Sequence, residues 1–305
     1  MYSQIDSNKR KTWLLMIIFL AVIVVLGWFF GELYDFGYGG LIMAVIIAIS
    51  LNLFSYFKGD KVALAISGAK SIQKADNPYV YRLVENLCLT AGTPVPKIHL
   101  IPDQSINAFA TGRDPKHASI AITTGAVEKL ENEELEGVIA HELSHIKNYD
   151  IRLMTIVIIC VGVITLLADF FLRAQFIFGG RKSGRESGQI GAVLMIVGLV
   201  LAILSPLFAM LIQLAVSRKR EYLADASGVL LTRYPEGLAR ALEKIGQYNQ
   251  PMKRANHATA HLYIANPFSG VGSPRKRGAA GKKVAGLFST HPPLEERIKQ
   301  LRAMV

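Results

Sequence analysis

The sequence predicts a mainly helical membrane protein: four apolar helical segments, with a small α+β domain split by the second pair of them. Three observations predict it. The chain of 305 residues is 51% hydrophobic with a mean hydropathy of +0.32, more apolar than an ordinary soluble domain. The excess is gathered into long runs at 13–30, 39–57, 153–172 and 190–216. The remainder carries the mixed strand and helix periodicity of one soluble domain. The chain then divides into an N-terminal transmembrane hairpin (1–57), a first part of the soluble domain (58–151), a second apolar hairpin (152–216) and a second part of the domain (217–305).

The first two runs are each long enough for a bilayer core of ~30 Å. Lys9, Arg10 and Lys11 precede the first. No small-residue cleavage site follows it, and a second run comes soon after, so it reads as an anchor and not a signal peptide. The stretch 31–38 holds Glu32 and Asp35 and no basic residue, whereas Lys58 and Lys61 follow the second run. Basic flanks stay on the cytoplasmic side, which puts both the N-terminus and the region after residue 57 there. The net charge of +11 is read the same way: it sits at the ends of apolar runs, where it suits headgroups. No basic patch interleaved with aromatics accompanies it, so a nucleic-acid partner is not expected.

Between the hairpins, Asn77 and Pro78 start a helix that ends near Gly92, with Leu83, Val84 and Leu87 on one face. Strands are expected at 97–101, 107–111 and 118–123, the last two joined by the turn-rich Gly112-Arg113-Asp114-Pro115. A helix over 125–130 follows. Asn132 is then placed to cap another, with Glu133 and Glu134 in its first turn and Leu135, Val138, Ile139, Leu143 and Ile146 at helical spacing.

The third run is broken by Asp169 and the fourth by Pro206. The loop between them holds Arg173, Arg181, Lys182 and Arg185, against the positive-inside expectation for a crossing pair. Either the rule is overridden or the hairpin does not cross fully. Asp169 either pairs with Arg173 or marks an ion path. Residues 270–284 are Gly-rich and basic and read as a flexible loop. The C-terminal helix, 293–303, puts Leu294, Ile298 and Leu301 on one face and packs back on the domain. Cys88 and Cys160 show no metal or redox spacing and read as two free, buried residues.

The stretch VIAHELSHIKNYD, 138–150, carries the chemistry. His141 and His145 are four apart, so on a helix they share a face and one cation. Glu142 is then placed to hold the water bound to that cation. Zinc lowers the pKa of its water toward ~7, and a carboxylate can take the proton. A catalytic zinc wants a third protein ligand. Glu221 and Asp225 are again four apart: either Glu221 ligates while Asp225 orients a ligand histidine, or the two form a solvated acidic face beside Arg218–Arg220. His99, His117, His257 and His261 lack ligand spacing and read as surface or strand residues.

INAFATG at 106–112, HELSHIKNYD at 141–150, SRKREYLAD at 217–225 and FSTHPPLEERI at 288–298, around two pairs of apolar runs, resemble the HtpX-type heat-shock membrane proteases, gluzincins related to the CAAX prenyl endopeptidases. The resemblance covers nearly the whole chain. It implies a gluzincin-type α+β zinc-peptidase domain on the cytoplasmic side of a prokaryotic inner membrane. It implies one Zn2+ per chain on His141, His145 and Glu221, with Glu142 as general base and Asp225 supporting a ligand. It implies His291 as a donor to the oxyanion, and Asn107, Ala108 and Phe109 as an edge strand on which a peptide is laid. Arg297 matches the family without a firm role. The implied task is stress-related quality control: cleavage of damaged or misassembled membrane proteins and unfolded chains, with possible self-cleavage.

Other readings fit less well. A structural zinc is closed by four ligands, often Cys, whereas three are in view here and none is Cys. A transporter would need more than one intramembrane charge. A prenyl-protein endopeptidase of this family's kind builds its membrane chamber from more spans.

Overall fold

The computed structural model describes residues 2–33, 36–178, 218–248, 250–256, 259–268 and 292–304. Two long helices, α1 (Tyr2–Leu33) and α2 (Gly37–Ser67), form the N-terminal hairpin. Both are long and apolar enough to cross a membrane. Small residues let them close up: a Cβ on Gly27 would lie 1.9 Å from that of Ala44, and one on Gly40 would lie 2.6 Å from the Gly31 backbone. The third apolar run forms α6 (Asp150–Phe178), which continues through Asp169. α6 packs on α1 and α2 through Leu15, Phe19, Ile23, Ala48, Leu153, Ile156, Val157 and Ile164. The fourth run, most of the loop before it and the basic segment 270–284 lie outside the described residues.

The soluble part is built on a four-stranded mixed sheet: β1 (Lys70–Ser71), β2 (Lys97–Ile101), β3 (Ala108–Gly112) and β4 (Ala118–Thr123), in the order β1-β2-β4-β3. β2 and β4 run parallel, and β3 is antiparallel to β4 at one edge. Both faces are covered. Ala108, Ala110, Ile120 and Ile122 point into the main core, while Phe109 and Ala121 point with Met154, Ile158 and Tyr263 into a second core at the junction with α2 and α6. This period-2 division makes the sheet the link between the long apolar helices and the rest of the domain.

The helices match the sequence with two shifts. α3 (Pro78–Ala91) starts where Asn77 accepts from the Val80 N–H and ends at Gly92 in a left-handed conformation, φ 64°. α4 (Thr124–Lys129) follows, then α5 (Asn132–Lys147). Asn132 is the first helical residue of α5 and not its cap. The cap is Glu131, whose N–H donates to the Glu134 side chain at 2.8 Å, a carboxylate at the positive helix end. After the undescribed stretch come α7 (Arg218–Thr232), α8 (Pro235–Gln247) and α9 (Leu294–Arg302). α5 is the centre of the domain, touching α3, α7, α8 and β3. Leu301 is fully buried, with Leu294 and Ile298 packed beside it, which seats α9 on the domain. Both cysteines are free and buried. His261 is the second shift: it is neither surface nor strand. It is buried in a single 3-10 turn, its Nε2 3.4 Å from the Met154 carbonyl.

Candidate metal centre

One turn of α5 supplies His141, Glu142 and His145, all buried. α7 supplies Glu221 and Asp225 from adjacent turns, also buried. α7 comes this close because residue 228 is glycine: a Cβ there would lie 3.2 Å from the His141 backbone nitrogen. The acidic-face alternative for Glu221 and Asp225 is thereby excluded, since neither carboxylate is solvated.

The ring nitrogens converge. His141 Nε2 and His145 Nε2 are 3.2 Å apart, with the rings edge to face at 88°. Glu221 completes the group, its oxygens 3.8 Å from His141 Nε2 and 3.6 Å from His145 Nε2. Two nitrogens on one tetrahedral zinc, with bonds of ~2.0–2.1 Å, stand about 3.3 Å apart. His141, His145 and Glu221 can therefore hold one metal ion, with ligand atoms all within 4.8 Å of one another.

Each histidine is oriented from behind. His141 Nδ1 lies 2.9 Å from Asp225 Oδ1, and His145 Nδ1 lies 3.0 Å from Asp150 Oδ2. With Nδ1–H committed to a carboxylate, the Nε2 lone pair is the one left for a metal. Asp150 was missed in the sequence, although it ends the HELSHIKNYD stretch. Its signal was weak: five residues after His145, it lies past the helix end, and only the bend into α6 brings it back. Arg297 is the other gain. Fully buried, it forks onto Asp225 through Nε at 2.9 Å and Nη2 at 2.6 Å, and its Nη1 lies 3.6 Å from Glu221. A planar guanidinium suits that double contact.

Electrostatics follow from burial against these partners. Burial alone would lower His145; the Asp150 hydrogen bond and the Glu221 carboxylate outweigh it and push it up to about 9. Burial keeps His141 low, with Arg297 and His145 adding to the effect against Asp225. The pair thus shares one proton, on His145. Burial pushes Glu142 up to about 7, with Glu221 adding and His145 and the Ala110 N–H opposing. Asp225 would rise on burial, but Arg297 and His141 hold it below the usual carboxylate range.

β3 lies against α5, and its outer edge is in use. The Ala110 N–H serves the Glu142 carboxylate. The Ala108 carbonyl accepts from Ile264 N–H at 3.0 Å. The Asn107 side chain donates to the Ala265 carbonyl at 3.0 Å, and Phe109 stacks edge-on against Tyr263. Asn107, Ala108 and Phe109 are therefore near the site but buried under the chain's own 259–265 segment. His291 lies outside the described residues.

A buried His-Glu-His turn facing a glutamate from a second helix defines a metallopeptidase. The profile of peptidase family M48 matches residues 74–305. Full-length relatives are described as protease HtpX homologues. That of Caldanaerobacter subterraneus subsp. tengcongensis is 43% identical over 100% of this chain and 98% of its own. Those of Dictyoglomus turgidum (45%, 99% of this chain and 94% of its own) and Thermoanaerobacter pseudethanolicus (43%, 100% and 98%) are similar. The crystal structure of S. mikatae Ste24p aligns with a TM-score of 0.49 at 19% identity, over 99% of this chain and 67% of that one. The chain belongs to peptidase family M48, among the HtpX-type membrane metalloproteases.

Proposed function

We propose that the chain is a zinc endopeptidase anchored in the prokaryotic cell membrane by several spans, its site facing the cytoplasm, cleaving damaged membrane proteins and unfolded polypeptides. The observation that carries the zinc reading is the pair of Nε2 atoms at 3.2 Å, each with Nδ1 on a carboxylate and with Glu221 opposite. The cytoplasmic side rests on the basic flanks at Lys9–Lys11 and at Lys58 and Lys61. The domain is assembled from 58–151 and 217–305, and the 152–216 hairpin returns the chain to the same side: Glu221 reaches His145 only if the number of crossings is even.

Zinc held by His141, His145 and Glu221 would supply Lewis acidity to a water molecule and to the scissile carbonyl. Glu142 would take a proton from the water as its oxygen bonds to the scissile carbonyl carbon, and return it to the amine nitrogen as the C–N bond breaks. Asp225 and Asp150 fix the ring planes of the two ligand histidines. Arg297 holds Asp225, and its charge offsets the carboxylates. His291 is the proposed donor to the oxyanion. A peptide laid along Asn107, Ala108 and Phe109 takes the place of the Ile264 contact on Ala108, so substrate entry requires the 259–265 segment to move aside. A sequence-tolerant edge of this kind suits unfolded chains, and the enzyme's own loops are the nearest of these, hence self-cleavage.

The test uses detergent-purified protein kept metal-free with a chelator. Zinc is added, and the intact chain and an added unfolded protein are followed over time beside Glu142→Ala. Cutting by the wild type alone, with one zinc retained in both, supports the reading. If both bind zinc and neither cuts, it fails.

A further inference from the structure

We propose that Asn8, at the head of the first membrane helix, is a positioning residue of the metal centre: it holds Asp150 against His145, so that the seating of α1 sets how firmly the metal is held. The proposal rests on the reading of His141, His145 and Glu221 as metal ligands. It starts from an amide that has no place in an apolar anchor. Asn8 is fully buried, in the second turn of α1. Its Nδ2 donates to Asp150 Oδ1 at 2.6 Å and to the Asn148 carbonyl at 3.0 Å. Its Oδ1 accepts from Arg220 Nη1 at 3.4 Å. The other Asp150 oxygen takes the His145 Nδ1 contact at 3.0 Å. One side chain of α1 thus bridges the start of α6 and the start of α7, one residue before Glu221. The amide suits this place: its Nδ2 donates to both a carboxylate and a carbonyl, and its Oδ1 accepts from a guanidinium.

The turn that carries Asp150 is strained. Tyr149 has φ 60°, a left-handed conformation at a bulky residue, which costs ~1–2 kcal/mol. Its ring lies between two cations, Lys9 Nζ at 4.7 Å and Arg152 Cζ at 5.0 Å from the centroid. Adjacent residues of α1 therefore grip adjacent residues of the turn: Asn8 the polar groups of Asn148 and Asp150, Lys9 the ring between them. An anchor that served only to tether the domain would need neither contact.

Loss of a carboxylate directly behind a ligand histidine weakens metal binding ~10–100-fold. Asn8 acts one contact further out, so the low end of that range is expected. The experiment measures zinc affinity of the full-length protein in detergent by competition with a fluorescent chelator. Asn8→Ala binds zinc about tenfold more weakly than wild type. Asn8→Asp binds more weakly again, because it sets a second carboxylate against Asp150. In Asn8→Asp/Asp150→Asn the donor sits on the other side of the same hydrogen bond, and binding is tighter than in Asp150→Asn alone. A merely structural role for Asn8 gives no such recovery. Asn8→Ser replaces the alanine variant if that one does not fold. Wild-type affinity in the Asn8 single variants, within about twofold, or a double variant no better than Asp150→Asn alone, overturns the proposal. A wild type that binds no zinc overturns the metal reading, and this inference with it.

Discussion

Metal uptake by this site should expel protons, in a number that depends on pH. The two Nε2 atoms face each other at 3.2 Å while both Nδ1 atoms face carboxylates, so without a metal one proton must lie between the rings. His145 keeps it up to about 9, and Glu142 keeps its own up to about 7. A metal ion replaces the first and, by its charge, drives off the second. At pH 8 a group titrating at about 9 is ~0.9 protonated and one at about 7 is ~0.1 protonated, so about one proton leaves per metal. At pH 6 both are occupied and the count approaches ~2. Calorimetric titration with zinc in buffers of different ionisation enthalpy gives the count directly. Asp150→Asn removes the charge that holds the His145 proton, leaving burial to dominate, and release at pH 8 should fall below about half a proton. A count near zero at pH 8 in the wild type, or the same count at pH 6 and pH 8, would refute the shared-proton arrangement.

The same shifts give a stability trend, and two substitutions test the framework. Both folded values are raised, so both contributions are complete below the unfolded values, 4.5 for Glu142 and 6.5 for His145, and are lost as pH rises to about 7 and about 9. At ~1.4 kcal/mol per pH unit each is worth about 3 kcal/mol, so melting of the chelator-treated protein should drop from pH 5 to 9 while zinc protection grows; a flat profile would contradict this. Arg297→Met leaves Asp225 and Glu221 buried without their cation and should cost ~3–5 kcal/mol in denaturant unfolding of the metal-free protein, less when zinc is present; a loss below ~1 kcal/mol would mean the fork is not what balances them. Gly228→Ala sets a Cβ 3.2 Å from the His141 nitrogen and nudges α7 outward. It gains ~1 kcal/mol of helix propensity, so zinc affinity should fall several-fold with overall stability little changed, and unchanged affinity would show that α7 does not need this close approach.

What the sequence revealed and what it hid divide along physical lines. His141, Glu142 and His145 were legible because one helical turn fixes their relation, and Glu221 with Asp225 because the same spacing recurs. The strands at 97–101 and 118–123 were legible because both faces are buried and the runs are continuous. Asn8, Asp150 and Arg297 were not, because their roles depend on where three distant segments meet. A lone Asn before an apolar run looks like a polar flank until its side chain is seen on Asp150. His261 was misread for a related reason: burial of an isolated polar residue in a loop has no periodic signal. The covering of β3 by 259–265 was hidden too, since an edge strand and a paired one carry the same alternation.

The charges at the centre explain why these pieces occur together. With Glu142 protonated, the buried carboxylates are Asp150, Glu221 and Asp225, and the buried cations are Arg220, Arg297 and the His145 imidazolium: three against three. A divalent metal that displaces the protons of His145 and Glu142 leaves four negative charges, two guanidiniums and the ion, again in balance. Burial of unbalanced charge is costly, so the site is tolerable in both conditions only if Glu142 changes state with the metal. Glu142 then keeps its proton in the empty site and would give it up to a bound divalent ion. The two arginines that make this balance are fixed at opposite ends of the centre, Arg297 by α9 and Arg220 by Asn8 of α1. The charge balance therefore depends on both the seating of α9, through Arg297, and that of α1, through the Asn8 contact to Arg220.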